Sequence, residues 1–265
     1  MPKVSVIVTT YNRPELVKET IFGILNQTFK DFELIVVDNF SNYDFLKVIE
    51  EINDDRILPY QNQNDGIIAV NRNFGIKKAK GKYIAFCDDD DIWMPNKLEK
   101  QLQFLKDKHL EDDFFLIHTN CLNFNGDIKE KTNKKNVNTI NDLIKSNQIT
   151  FSSVIISNKL LKYNFNEFSG FLAVEDYVFW CMLKLDGYSF FLIKDALVEY
   201  RVTKSSASAV NYGLNHLRTI IALMYVIIKN KDAKINYTIY FFSVFKNITK
   251  YALKKNNIIA KVFNR

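Results

Sequence analysis

The sequence predicts an α/β protein: a Rossmann-like, mostly parallel sheet with helices on both faces, followed by a C-terminal helical extension. Three observations carry that expectation. The first ninety residues alternate apolar, β-branched runs with segments of helical period, and such alternation implies crossover connections and parallel pairing. Polar clusters, "TTYN", "DNFS" and "DDDD", close three of the apolar runs, and in such sheets ligands bind at the carboxyl ends of strands. Charge is also partitioned along the chain. From Gly213 to Arg265 ten basic residues face one acid, Asp232, whereas the residues before them carry 26 basic and 29 acidic side chains. A mildly acidic body and a strongly basic tail suggest two jobs.

The elements follow in order. "VSVIVTT" (4–10) is a continuous β-branched run suited to a strand covered on both faces. "ELVKETIFGILNQ" (15–27) puts Val17, Ile21, Ile24 and Leu25 on one helical face, with Asn12 as its cap and Pro14 in its first turn. Strand "FELIVVD" (32–38), a helix near 43–53, a short "RILPY" strand and helix "AVNRNFGIKKA" (69–79), stopped by Gly81, lead to strand "KYIAFC" (82–87). A helix from Pro95 to about Lys108 precedes strand "FFLIH", and the Asn- and Lys-rich stretch 123–139 reads as an exposed loop. Strand "SSVIIS" (152–157), loop "FNEFSGFLAVED" (165–176), helix "EDYVFWCMLKLDG" and strand "YSFFLI" complete the body. From about Tyr212 the tail reads as two or three helices. Its apolar runs 219–228 and 237–245 are too short to span a bilayer. These patterns divide the chain into residues 1–211 and a basic amphipathic segment, 212–265.

At 265 residues with 47% hydrophobic content the chain can bury a sizeable core. Its start, "MPKVSVIVTTYN", lacks the pattern of a secretory signal, so residence in the cytoplasm is expected. Cys87, Cys121 and Cys181 have no metal-ligand spacing and read as reduced core thiols. His109, His118 and His216 are scattered, which suggests neither a zinc site nor a hydrolytic triad.

Four consecutive aspartates, Asp88 to Asp91, end an apolar strand. Adjacent carboxylates repel, and partial burial worsens the repulsion, so a cation or hydrogen-bond donors must offset them. Along an extended strand end Asp88 and Asp90 point together and Asp89 and Asp91 oppositely. Such a pair suits a hard divalent cation bridging protein and diphosphate, Mg²⁺ or Mn²⁺ rather than zinc.

On these residues the chain resembles bacterial glycosyltransferases of family 2, with the GT-A fold and a nucleotide-sugar donor. The similarity runs in order through residues 3–208: "VSVIVTTYNRPELVKETIFGILNQTFKDFELIVVDNFS", "NDGIIAVNRNFGIKKAKGKYIAFCDDDDIW" with its DxD motif, "GFLAVEDYVFW" with its ED motif, and "YRVTKSSAS", the segment that closes over the site. The resemblance implies that Thr9 and Tyr11 line the nucleotide pocket and that Asp38 hydrogen-bonds the uracil edge. It places Asp88 on the donor ribose or sugar and Asp90 on the metal, Mn²⁺ or Mg²⁺. Asp176 would be the general base. Asn71, Asp89, Glu175 and Arg201 join the substrate-binding set, and Trp180 either walls the acceptor site or is a core aromatic. Asn39 stands where the family often has a second acid, and Thr203 where it often has a histidine.

The resemblance further implies inverting transfer of a hexose or N-acetylhexosamine from a UDP-sugar to a saccharide acceptor, lipid-linked, in assembly of O-antigen, capsule or lipooligosaccharide. One carboxylate base suffices, because a metal-bound diphosphate leaves without protonation. The basic tail, with aromatic and aliphatic faces, suits the anionic inner face of the cytoplasmic membrane; a helical appendage packed on the body is the alternative. A lipid- or nucleic-acid-binding protein organised around that tail leaves the acidic clusters unexplained, and acidic loops repel nucleic acid. A sugar-phosphate nucleotidyltransferase shares the topology but wants a glycine-rich phosphate loop, and "TTYNRP" has no glycine.

Overall fold

The structure is a computed structural model. It describes residues 1–265 except 112, 127, 159–163, 203–211, 230–233 and 264–265; for 212 and 254–263 it describes the helical backbone alone. The chain forms two compact units that do not follow its linear order. One comprises residues 1–136, 149–165 and 188–202, the other 137–148, 166–187 and 203–265.

The first unit holds the sheet. Strand β1 (Val4–Thr10) lies between β2 (Phe32–Asp38) and β4 (Tyr83–Asp88), and β3 (Ile57–Gln61) extends the parallel run beyond β2. Beyond β4 the pairing becomes mixed. β8 (Ile155–Ser157) is antiparallel to β4 and to β6 (Phe115–Asn125), whereas β9 (Ser189–Arg201) runs parallel to β6 and pairs at its far edge with β5 (Ile92–Trp93).

All seven residues of β1 and of β2 are buried, as expected for strands covered on both faces. Val4, Val6 and Val8 pack on one face with Val17, Ile21 and Ile24 of α1 (Pro14–Leu25) and Leu98 of α4 (Lys97–Asp107). Ile7 points to the other face, against α3 (Ile68–Lys78). A Cβ at Gly75 of α3 would meet Ile7 Cγ2 at 2.6 Å, so glycine sets that approach. The helix α2 (Phe45–Ile52) completes this half, with Phe45 and Ile49 buried.

Several local readings change. Asn12 does not cap α1: it adopts φ 55° and turns to the loop after β2, leaving Arg13 at the cap position. Gly81 does not stop α3, which ends at Lys78. It is needed because a Cβ there would meet Ser5 N at 2.5 Å. Its N–H donates to Ser5 Oγ, which donates to buried Glu33. The stretch 123–139 is not all loop, since β6 runs to Asn125 and β7 (Ile128–Lys131) pairs back on it. Only three residues of "SSVIIS" are strand, because Phe151–Ser153 is a 3₁₀ turn. Cys87, Cys121 and Cys181 are buried and unbridged. Burial pushes the Cys121 thiol up to about 11 and Cys181 to about 12, so all stay protonated.

The second unit is helical: α5 (Ile140–Lys145), a 3₁₀ turn at Ser169–Phe171, α6 (Glu175–Leu185), α7 (Tyr212–Lys229) and α8 (Tyr237–Phe263). Thr139 and Asp142 form a capping box on α5. Tyr177 Oη donates to Leu143 O at 3.1 Å, tying α6 to α5. Ala222, Leu223 and Val226 of α7 are fully buried, and Phe171 meets Tyr225 edge-on at 5.2 Å. His216 Nδ1 donates to Asn247 Oδ1 at 2.8 Å, linking α7 to α8.

One core residue is electrostatically costly. Lys97 is fully buried, its Nζ 3.0 Å from Gln101 Oε1 and 3.7 Å above the Trp93 ring. Burial pulls its pKa down to about 7, against about 10.4 in the unfolded chain. Below pH 7 both states are charged and the penalty is complete; between pH 7 and 10 only the unfolded chain holds the extra proton, so stability recovers as pH rises. We expect Lys97→Met to raise unfolding stability by about 2–3 kcal/mol at pH 7, allowing for the unpaired Gln101 oxygen, with the gain shrinking towards pH 10. Urea unfolding of both proteins at the two pH values checks this; a destabilised variant at pH 7 would contradict it.

Candidate active site

The carboxyl ends of β1, β2 and β4 lie level: Thr9 pairs with Asp88, and Thr10 with Asp38. The polar clusters therefore converge on one edge of the first unit. The loops after β1 and β2 are laced together. Asn12 N–H donates to Ser41 Oγ, Asn42 N–H donates to Asn12 Oδ1, and Asn39 N–H donates to Thr10 O. Asp38 is fully buried. It accepts from Ser41 N–H at 2.9 Å, from the Ser41 hydroxyl, and from Gln61 Nε2 at 3.2 Å. Tyr11 and Phe40 stand exposed beside it.

The four aspartates occupy a tight turn in which Asp91 N–H donates to Asp88 O at 3.3 Å. Asp89 and Asp91 are buried and Asp88 and Asp90 partly open, but the alternation expected of an extended strand does not carry through: the strand ends at Asp88, and in the turn Asp89 and Asp90 both reach the same Arg13 nitrogen. Each carboxylate has its own compensation. Asp88 pairs with Arg72 at 3.0 Å, and Asp89 accepts from Thr10 Oγ1 at 2.8 Å and from Arg13 at 3.0 Å. Asp90 shares Arg13 at 3.2 Å, while Asp91 accepts from Ser152 Oγ and from Arg201 N–H. Arg201 also donates from Nε to Asp90 O at 2.9 Å and pairs with Glu19.

This compensation is incomplete. Burial, then Asp88 and Asp89, push Asp90 up to about 6. Asp91 is held well above the usual carboxylate range, first by burial and then by Asp88 and Asp90, and burial also raises Asp89. Burial works against the Arg13 cation, yet Asp89 and Asp90 hold its pKa above the ordinary value. Among the described residues no three His, Cys, Asp or Glu side chains form a metal cage. Residual negative charge on partly open oxygens nevertheless fits Mg²⁺ or Mn²⁺, which use one or two carboxylates and take other ligands from substrate phosphates.

Of the residues singled out in the sequence, the first unit gathers Thr9, Tyr11, Asp38, Asp88, Asp89, Asp90 and Arg201 around this edge. Asn71 is fully buried, and its Oδ1 accepts from Asn62 Nδ2 at 2.8 Å. Glu175, Asp176 and Trp180 belong to α6 in the second unit. Asp176 is partly exposed in the first turn of α6, where acids are favoured, and accepts from Tyr177 N–H at 2.6 Å. Glu175 is buried. Trp180 is fully buried against Phe179, with ring centroids 5.4 Å apart, the setting of a core aromatic. Thr203 lies outside the described residues.

Arg13, Arg72, Thr10 and Ser152 were not singled out. Arg13 was findable: four carboxylates call for cations, and "TTYNRP" supplies one at the next strand's end. Arg72, lying 3.6 Å over the Phe151 ring, and Ser152 come from remote segments and left no local signal. Ser152 Oγ donates to Asp91 and accepts from Asp88 N–H at 2.9 Å. Ser152→Ala is expected to cost about 1–3 kcal/mol, because a buried carboxylate loses its donor. Denaturant titration tests this, and a loss below about 0.5 kcal/mol would show that the bond is dispensable.

Several known proteins are similar to this chain. An uncharacterized glycosyltransferase of Methanocaldococcus jannaschii is 34% identical over 209 residues, 76% of this chain and 71% of that protein. The UDP-Glc:α-D-GlcNAc-diphosphoundecaprenol β-1,3-glucosyltransferase WfgD of Escherichia coli is 31% identical over 208 residues, covering 78% of this chain and 79% of its own. Among solved structures, S. aureus TarS residues 1–349 in complex with UDP-GlcNAc superposes with a TM-score of 0.72 at 22% identity, over 93% of this chain and 71% of that one. The chain spans 43% of the longer TarS structure. That likeness bears on the fold, which is GT-A. The profile of Glycosyl transferase family 2 matches residues 5–157, and the chain belongs to that family of glycosyltransferases.

Proposed function

We propose that this glycosyltransferase is inverting and metal-dependent, moving a hexose or N-acetylhexosamine from a UDP-sugar to a lipid-linked saccharide in bacterial surface polysaccharide or oligosaccharide assembly. The observation that carries this reading is the aspartate turn at the carboxyl edge of β1 and β4, where Asp88 and Asp90 stay partly open and Asp90 is under-compensated. The donor and the diphosphoundecaprenol-linked acceptor in the name of the E. coli relative support the substrate classes.

Thr9, Tyr11 and Asp38 serve the nucleotide, with Asp38 acting through the loop it braces. Asn71, Asp88, Asp89, Glu175, Trp180 and Arg201 complete the substrate-binding set by contact or by support, and Arg13 and Arg72 hold the turn in shape. Asp90 would hold a Mn²⁺ or Mg²⁺ ion, which would supply charge neutralisation to a donor diphosphate. In the transfer, the acceptor oxygen forms a bond to the anomeric carbon while the bond from that carbon to the β-phosphate oxygen breaks. The electron pair leaves with UDP, and the acceptor's proton passes to Asp176.

The tail supports a membrane setting. Phe241, Phe242, Phe245, Ile248 and Leu253 of α8 are each roughly half or more exposed, on a segment rich in lysine. Among the described residues no helix is long and apolar enough to cross a membrane. An exposed aromatic face with basic flanks suits a helix lying in an anionic interface.

Two outcomes are expected. UDP with Mn²⁺ raises the Tm of the wild type and of Asp176→Asn but not of Asp90→Ala, while Asp176→Asn transfers no sugar; turnover by that variant would remove Asp176 as the base. In flotation with anionic vesicles, Phe241→Ser combined with Phe245→Ser binds at least tenfold more weakly, since each buried phenyl ring contributes about 1.5–3 kcal/mol. Unchanged flotation would argue for a tail that only packs on its own unit.

A further inference from the structure

The second unit contains a groove of about 350 Å³, most of whose lining residues lie beyond the stretch that the family profile matches. It lies between α5, the turn before α6, α7 and α8. Asp176 opens onto it, and it is the only carboxylate among the lining residues. Lys145, Lys246 and Lys250 line it too, together with His216 and Asn247. Among the described residues none of the three lysines is ion-paired. All three are exposed, whereas Asn247 is buried and fixed, its Nδ2 donating to Ser243 O at 2.9 Å and its Oδ1 accepting from His216.

The spacing on α8 explains how one helix serves this groove. Ser243, Lys246, Asn247 and Lys250 recur at intervals of three and four, so they share a face. Phe241, Phe242, Phe245 and Ile248 fall on the opposite side of the helix and are exposed. Three cations around one carboxylate leave the groove net positive, and unpaired lysines at close range are the side chains that take phosphate as point charges.

We propose that this groove is the acceptor subsite, and that Lys145, Lys246 and Lys250 hold the diphosphate of a sugar-diphosphate acceptor while its sugar hydroxyl meets Asp176. This rests on the reading of Asp176 as the base and adds to it the chemistry that selects the acceptor. An acceptor whose sugar carries a diphosphate is anchored by charge on one side of Asp176, whereas a neutral glycoside finds only hydrogen bonds there. The headgroup of a lipid-linked saccharide and a free diphosphate share this chemistry.

The test is calorimetric titration of the full chain with inorganic diphosphate and with decyl diphosphate. EDTA is present throughout, so that binding through a metal at the aspartate turn does not contribute. Lys246→Gln combined with Lys250→Gln should weaken both ligands at least tenfold and leave the Tm shift with UDP and Mn²⁺ at its wild-type value. Tighter binding of the decyl ester than of the inorganic ion identifies a lipid headgroup as the source, and equal binding identifies the diphosphate alone; either supports the subsite when the variant loses it. Should the double variant lose its UDP response as well, the single variant Lys250→Gln replaces it, with a loss of at least threefold expected. Binding unchanged in the variants, or absent in the wild type, overturns the proposal. A missing UDP response in the wild type would instead count against the donor reading.

Discussion

The first unit depends on the electrostatic compensation of one turn. Four adjacent carboxylates at the end of β4 would push the chain open if left to themselves. They are held by groups drawn from several neighbouring segments: Thr10 at the end of β1 and Arg13 after it, Arg72 from α3, Ser152 from the 3₁₀ turn before β8, and the Arg201 amide at the end of β9. These partners lie between 16 and 110 residues away in sequence. The turn forms correctly only when the sheet around it has formed, and the sheet in turn is drawn together at its carboxyl edge by the same charges. Fold and site are thus one cooperative object here, which is why the partly open Asp88 and Asp90 can carry residual charge without unravelling the strand end.

Much of this was legible in the sequence, for a definable reason. β1 and β2 are buried on both faces, so their β-branched runs have no competing reading, and their bounds were recovered to the residue. The polar clusters at strand ends were equally plain, because a parallel sheet brings every such end to one edge. What escaped was set by distant partners. β6 and β9 run on past their apolar cores because each completes the other's hydrogen bonds, and nothing in the Asn-rich stretch after residue 122 announces a strand. Gly81 looked like a helix stop because glycine has two common uses, and only the proximity of the Ser5 backbone reveals the other.

The helical unit poses the opposite problem. Its segments 137–148 and 166–187 are embedded in the body of the sequence, yet they cluster with the tail. Composition marks the tail as basic and amphipathic but does not say which lysines share a face with which asparagines. That grouping emerges once α5, α6, α7 and α8 assemble, when Asp176 and three lysines come to line one groove. Two of the tail's ten basic residues, Lys246 and Lys250, are thereby brought together with Lys145 from the body of the sequence.

The lacing of the loops after β1 and β2 has a consequence for anyone recombining relatives of this protein. Asn12 sits in a left-handed conformation with its amide and side chain both committed to residues 41 and 42, while Ser41 in turn is bound to Asp38. Neither loop has a shape of its own. A chimera that imports one of them alone carries half of a mutual fit and leaves Asn12 strained without its partners. Loop grafts at this edge must therefore carry residues 11–13 and 38–42 together.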